Sequence, residues 1–207
     1  MEPPSAPAAP APVPFAEPTP LGLLGLAVGC AALLPVAFGW SLTAPAFRTA
    51  ATYCLLFGAG CQLLAGLMAL ANKNLLGGTL FTTFAFNWVV NHQVLSGVAQ
   101  GQLPDPHVVL AVDLCFLVIF AVLTFAFGFF SKLLFLFLLD IDVLFLCRIL
   151  KELTHSTAFT VPIAVATVLL AAIALYLAFA ILLNHAAART VLPIPGPLFK
   201  PGPTPTQ

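Results

Sequence analysis

Residues 108–150, VVLAVDLCFLVIFAVLTFAFGFFSKLLFLFLLDIDVLFLCRIL, decide the architecture. A helix crosses the hydrocarbon core of a bilayer with about 20 apolar residues. One helix over this whole stretch would be roughly 65 Å long at 1.5 Å per residue, longer than any ordinary bilayer needs. The Ser131-Lys132 pair interrupts the apolar run near its middle, so the stretch is read as two spans, 108–130 and 133–149.

Working outward, charge and turn residues punctuate the rest at Thr43 to Arg48, Asn72 to Asn74, Gly101 to His107 and Arg148 to His155. They leave further spans at 21–40, 50–71, 76–98 and 158–184. The sequence therefore predicts an all-α integral membrane protein with six transmembrane helices in a domain over 21–190. The composition agrees: of 207 residues 61% are apolar and 7% charged, whereas a soluble domain carries about 25% charged residues. Seven basic residues balance seven acidic ones without a basic run, which excludes a nucleic-acid binder of the usual kind.

Of 19 prolines, 14 lie within 1–20 and 193–207. Residues 1–20 read as a Pro/Ala-rich, extended and disordered tail without the basic start of a secretory or transit signal. Residues 191–207 read as a Pro-rich C-terminal tail. Six spans put both tails on one side, with Lys73, Lys132, Arg189 and Lys200 there against Arg48, Arg148 and Lys151 opposite. That is a small positive-inside difference.

Cys30, Cys54, Cys61, Cys115 and Cys147 fall inside apolar spans without a Cys-x-x-Cys pair and read as small apolar packing residues. His92, His107, His155 and His185 lie near span ends without ligand spacing, so no metal or cofactor is expected. Gly22, Gly25 and Gly29 share one helix face, and Gly58, Gly60 and Gly66 recur in the second span. Small residues let helix backbones approach closely in lipid. Helix packing is the first reading of both sets, and close approach of a permeant to the backbone the second.

Thr79, Thr83, Asn87 and Asn91 recur every four residues and form one polar stripe on an otherwise apolar helix. Polar groups in hydrocarbon cost free energy unless partnered, so the stripe must face protein or water. It serves either hydrogen bonding between helices or a lined pathway, with Gln62, Phe84 and Trp88 beside it. Asp140 and Asp142 lie mid-span about 200° apart on the helix, and a proton-linked role is open to either. Asp113, one turn inside its span, reads as a solvated or capping residue. No catalytic order, metal-binding motif or phosphate loop stands out among the spans, so no enzyme is expected.

Four motifs then point to a family. Glu17-Pro18-Thr19-Pro20-Leu21-Gly22-Leu23 resembles the Asn-Pro-Ala-Pro-Leu-Gly-Leu opening of the acetate uptake transporter family, the group of the bacterial succinate-acetate permease and its fungal relatives. Phe57-Gly58-Ala59-Gly60-Cys61-Gln62-Leu63-Leu64-Ala65-Gly66 is similar to that family's second helix. Gly78-Thr79-Leu80-Phe81-Thr82-Thr83-Phe84, followed by Trp88, resembles the start of its third, and Arg189-Thr190-Val191-Leu192-Pro193-Ile194 its C-terminal signature.

The resemblance implies a six-helix subunit in a homo-hexamer, set in a plasma or bacterial inner membrane with both tails cytoplasmic. Each subunit would pass acetate or a similar small carboxylate, by proton coupling or as a channel. It also implies a hydrophobic constriction at Leu26, Phe84 and Ile141. Three departures stand out: Glu17 replaces the signature asparagine, Ala69 an acidic residue, and Leu26 and Phe84 a phenylalanine and a tyrosine. With Leu21, Gly22, Gln62, Thr83 and Asn87 as the polar pathway, and no Lys or Arg deep in a span, the permeant would meet neutral donors only. The competing expectation is a non-transporting membrane scaffold whose proline-rich tails bind partners.

Overall fold

The structure, a computed structural model, describes residues 14–200. The tail expectations for 1–13 and 201–207 lie outside the described residues. Six long helices make up the described residues: α1 (Thr19–Ala37), α2 (Ala44–Ala71), α3 (Leu75–Val98), α4 (Pro106–Phe127), α5 (Lys132–Thr154) and α6 (Thr160–Ala187), the last preceded by a 3₁₀ turn at Thr157–Phe159. Four segments, Thr19–Ala37, Ala44–Ala71, Pro106–Phe127 and Thr157–Ala187, are long and apolar enough to cross a membrane, and the chain is an integral membrane protein. The 24 residues of α3 and 23 of α5 give comparable lengths, roughly 35 Å, but these two carry the polar stripe and the mid-helix carboxylates.

Local chemistry sets the boundaries. Ser131 ends the long apolar run because its Oγ accepts the Leu133 N–H at 3.1 Å and so caps α5. Asn74 caps α3 through Gly77 N–H at 2.9 Å, and Asp105 caps α4 through the N–H groups of His107 and Val108. The second helix starts at Ala44 rather than near residue 50, since Thr43 accepts the Ala46 N–H and Pro45 occupies the first turn. Arg48 does not interrupt it; its Nε donates back to the Ala44 carbonyl on an exposed face. The fifth helix continues past residue 149 to Thr154 and stops where His155 adopts a left-handed φ of 51°.

Neighbouring helices pack in the order α1, α6, α5, α4, α3, α2 and back to α1, a ring whose loosest seam is between α3 and α4. Aromatic rings close that seam from inside: Phe84 of α3 meets Phe120 of α4 edge-on at 5.0 Å, and Phe120 stacks on Phe145 of α5 at 5.5 Å. Within α2, Cys54–Cys61 is π-helical, a wider turn common at functional sites. It carries Gly58, against which the Trp88 indole lies, while Gly29 of α1 receives the far edge of the same ring. Gly22 meets Phe81, and Gly25 meets Cys61 and the Phe57 carbonyl. Gly66 meets Thr82 of α3 in the same way, so every glycine of the two sets but Gly60 lies at a helix contact.

Past α6 the chain forms a strap back across the bundle. Asn184 holds it by accepting the N–H groups of Val191 and Leu192, and Tyr176 donates to Pro193 O at 2.7 Å. The strap then reaches the α4–α5 turn: Ser131 Oγ donates to Pro195 O, Lys132 N–H to Gly196 O, and the N–H groups of Leu198 and Phe199 to Gly128 O. Phe199 sits among Phe125, Phe129 and Phe135 at 5.1 to 5.8 Å between centroids. Each such ring pair contributes about 1 kcal/mol. Phe199→Ala is expected to speed amide exchange at Lys132, Leu198 and Phe199 by about tenfold without slowing assembly of the six helices. Unchanged exchange at those amides would show that the ring does not hold the strap.

Candidate functional site

Two cavities lie along the inside of the ring. The first, about 300 Å³, opens on the side of the chain ends and is lined by Glu17, Thr19, Leu23, Phe81, Phe137 and Leu177 among others. The second, about 170 Å³, lies toward the opposite face and is lined by Cys30, Phe84, Asn87, Trp88, Asn91, Ile141, Phe145, Arg148 and Thr167 among others. The same four helices wall both. Between them, Leu23 precedes Cys30 on α1, Phe81 precedes Phe84 on α3, Phe137 precedes Ile141 on α5, and Leu170 precedes Leu177 on α6. At 1.5 Å per residue these offsets correspond to a barrier roughly 5 to 10 Å thick. Leu26, Ile141 and Ala174, each at most 1% exposed, lie at that level with Phe84 at 5%. A third hollow, between α1 and α2 and walled by Val28, Ala32, Pro35, Thr49 and Tyr53, is on the outside of the ring.

The residues singled out from sequence divide accordingly. Phe84 and Ile141 line the second cavity, and Leu26 belongs to the same contiguous apolar core. Asn87 lines the second cavity as well, joined by Asn91. Thr83 is half-buried and borders neither cavity, and Gln62, 1% exposed with its Oε1 unpartnered among the described residues, also lies outside both walls. Leu21 points outward, and Gly22 is covered by Phe81. Glu17 accepts hydrogen bonds from the Thr19 N–H and hydroxyl, so a carboxylate rather than a free donor faces the first cavity at the start of α1.

Asp140 and Asp142 flank Ile141. Asp142 accepts a 2.7 Å hydrogen bond from Thr124 of α4, and one oxygen of each carboxyl is buried without a partner among the described residues.

Two expectations are corrected. Asp113 is neither solvated nor a cap: its side chain is 7% exposed and pairs with Arg148, Oδ1 to Nη2 at 2.9 Å and Oδ2 to Nε at 3.0 Å. Arg148 in turn is not a loop charge but a residue of α5 in the wall of the second cavity, stacked over Phe145 at 5.4 Å. The second cavity therefore has a fixed guanidinium in its wall, not neutral donors alone. The signal available in sequence was two opposite charges inside apolar runs 35 residues apart, which in lipid pair with one another. Terminating the span at Arg148 concealed it.

No protein-family profile matches the chain, and no curated protein matches it by sequence. Among solved structures it is similar to the bacterial acetate channel SatP, with a TM-score of 0.78 at 24% identity over 87% of this chain and 99% of that one. The chain shares that channel's fold.

Proposed function

We propose that the chain is a member of the acetate uptake transporter family that moves acetate or a similar small carboxylate through a pathway inside each subunit. The observation that carries this reading is the pair of cavities on the walls of the same four helices, separated by a thin apolar barrier at Leu26, Phe84 and Ile141. In it all six helices span the membrane, both tails are cytoplasmic, and outward apolar side chains such as Leu56, Phe86, Val118 and Phe125 meet lipid or the neighbouring subunits of a hexamer.

The permeant enters past Glu17 and Thr19, crosses the barrier, and reaches Asn87, Asn91 and Arg148. Gln62 and Thr83 stand behind the wall and support packing. An ionised carboxylate in the barrier would lose its hydrogen bonds to water, at a cost that falls when it binds a proton. The reading therefore includes proton coupling or passage of the neutral acid, with Asp140 and Asp142, flanking Ile141, as the side chains able to relay a proton. It names no catalytic residue, metal or cofactor.

Uptake of labelled acetate into proteoliposomes tests the reading, with and without an acid gradient. Native protein is expected to exceed empty liposomes. Asn87→Leu is expected to reduce initial uptake by about tenfold through loss of a buried amide facing the permeant. No uptake above empty liposomes would leave the scaffold reading; full uptake by Asn87→Leu would place the pathway elsewhere.

A further inference from the structure

We propose that the second cavity is a binding site for short monocarboxylates, with Arg148 as the cation that meets the carboxylate and Asp113 as the counter-charge that keeps this contact weak. This deepens the transport reading and rests on it for the identity of the ligand. Arg148 has five N–H donors, and Asp113 takes the Nε and Nη2 edge. The remaining donors belong to a side chain that is 30% exposed and lines the cavity, whereas Asp113 is buried behind it. No Asp or Glu lines this cavity among the described residues.

Two further polar side chains share the same space: Asn87 and Asn91 present amides one turn apart on α3. The Trp88 ring lines the wall beside them, seated against Gly29 and Gly58, with its Nε1 closed off from the cavity. A carboxylate supplies two acceptor oxygens for such a set of donors.

Apart from Thr167, whose hydroxyl donates to the Ile163 carbonyl, the rest of the wall is apolar, with Leu33, Ile141, Leu144, Ile163 and Leu170. At about 170 Å³ it accommodates a short aliphatic tail but gives a second carboxylate no donor of its own. Asp113 sharpens this preference, because a guanidinium already paired bidentately attracts a dianion less than a free one would. The site thus favours one charge and a small apolar end, and it releases its ligand readily.

The two tryptophans make the test direct. Trp40 is 75% exposed beyond the end of α1, so Trp40→Phe leaves Trp88 in the cavity wall as the sole reporter. In the full chain reconstituted in liposomes, acetate is expected to change Trp88 emission saturably. Adding Asp113→Asn should lower the apparent Kd for acetate about fivefold and for succinate by more, about twentyfold, narrowing the discrimination between them. Asp113→Asn with Arg148→Gln, which removes both charges together, should raise the acetate Kd by at least about tenfold while the thermal unfolding midpoint is kept. Arg148→Lys, which retains the charge but not the fork, should fall between.

A Trp88 signal that does not saturate, or an apparent Kd unchanged in both Asp113→Asn and Arg148→Lys, overturns the site. Uptake with no Trp88 response rejects the site and keeps transport. A Trp88 response without uptake rejects transport and keeps a carboxylate site.

Discussion

Gly25→Leu is expected to yield no monodisperse protein in detergent, and Gly25→Ala to lower the unfolding midpoint by about 4 to 8 °C, the equivalent of roughly 2 kcal/mol of overpacking. A Cβ built at Gly25 overlaps the Cys61 Cβ and lies 2.5 Å from the Phe57 carbonyl oxygen. Backbone cannot swing aside as a flexible side-chain end can, so α1 and the π-helical turn of α2 must separate. Gly60→Ala is the matched control. Its Cβ meets only the Leu55 carbonyl, at 3.7 Å, and the midpoint should stay within about 2 °C. Size-exclusion profiles and melting curves of the three variants decide the matter. A well-folded Gly25→Leu would show that the two helices do not approach in this way.

The second large effect concerns the ion pair. Arg148→Leu leaves the buried Asp113 carboxylate without its partner, and breaking a buried pair from one side costs about 3 to 5 kcal/mol. Asp113→Leu leaves a guanidinium that is 30% exposed, with the cavity to turn into, and should cost less. The double variant Asp113→Leu/Arg148→Leu should recover most of the loss, because two leucines across the α4–α5 contact bury no charge. Melting midpoints of the four proteins form a complete cycle. Equal losses for Arg148→Leu and the double variant would mean that the arginine acts through packing on Phe145 rather than through its charge.

Much of this architecture was legible from local chemistry. Ser131, Asn74 and Asp105 cap helices where the polar punctuation fell, because a helix start needs an acceptor for its first N–H groups wherever it occurs. The second helix starts before residue 50 because Thr43 and Pro45 are stronger start signals than Arg48 is a break, and they lie about one turn before it. The π-helical turn was not legible. Residues 54–61 are apolar or small on every side, so no periodicity distinguishes 3.6 from a wider turn.

At the candidate site, the four-residue spacing singles out Asn87 and Asn91, both of which line the second cavity. The half-stripe of Thr79 and Thr83 departs from the cavities, since a strict four-residue repeat drifts around a helix of 3.6 residues per turn. Asp113 and Arg148 required the tertiary contact between α4 and α5, which no window of sequence contains.

The C-terminal strap bears on the order in which the protein is made. The Gly128 carbonyl accepts the N–H groups of Leu198 and Phe199, and Lys132 N–H donates to Gly196 O, so the turn between α4 and α5 is synthesised before the segment that completes it. Synthesis proceeds at about 5 to 20 residues per second, so some seconds pass before those residues emerge. During that interval the turn can rely only on water for those hydrogen bonds. A chain that stops before Gly196 would therefore keep its six helices and yet never finish the turn between α4 and α5.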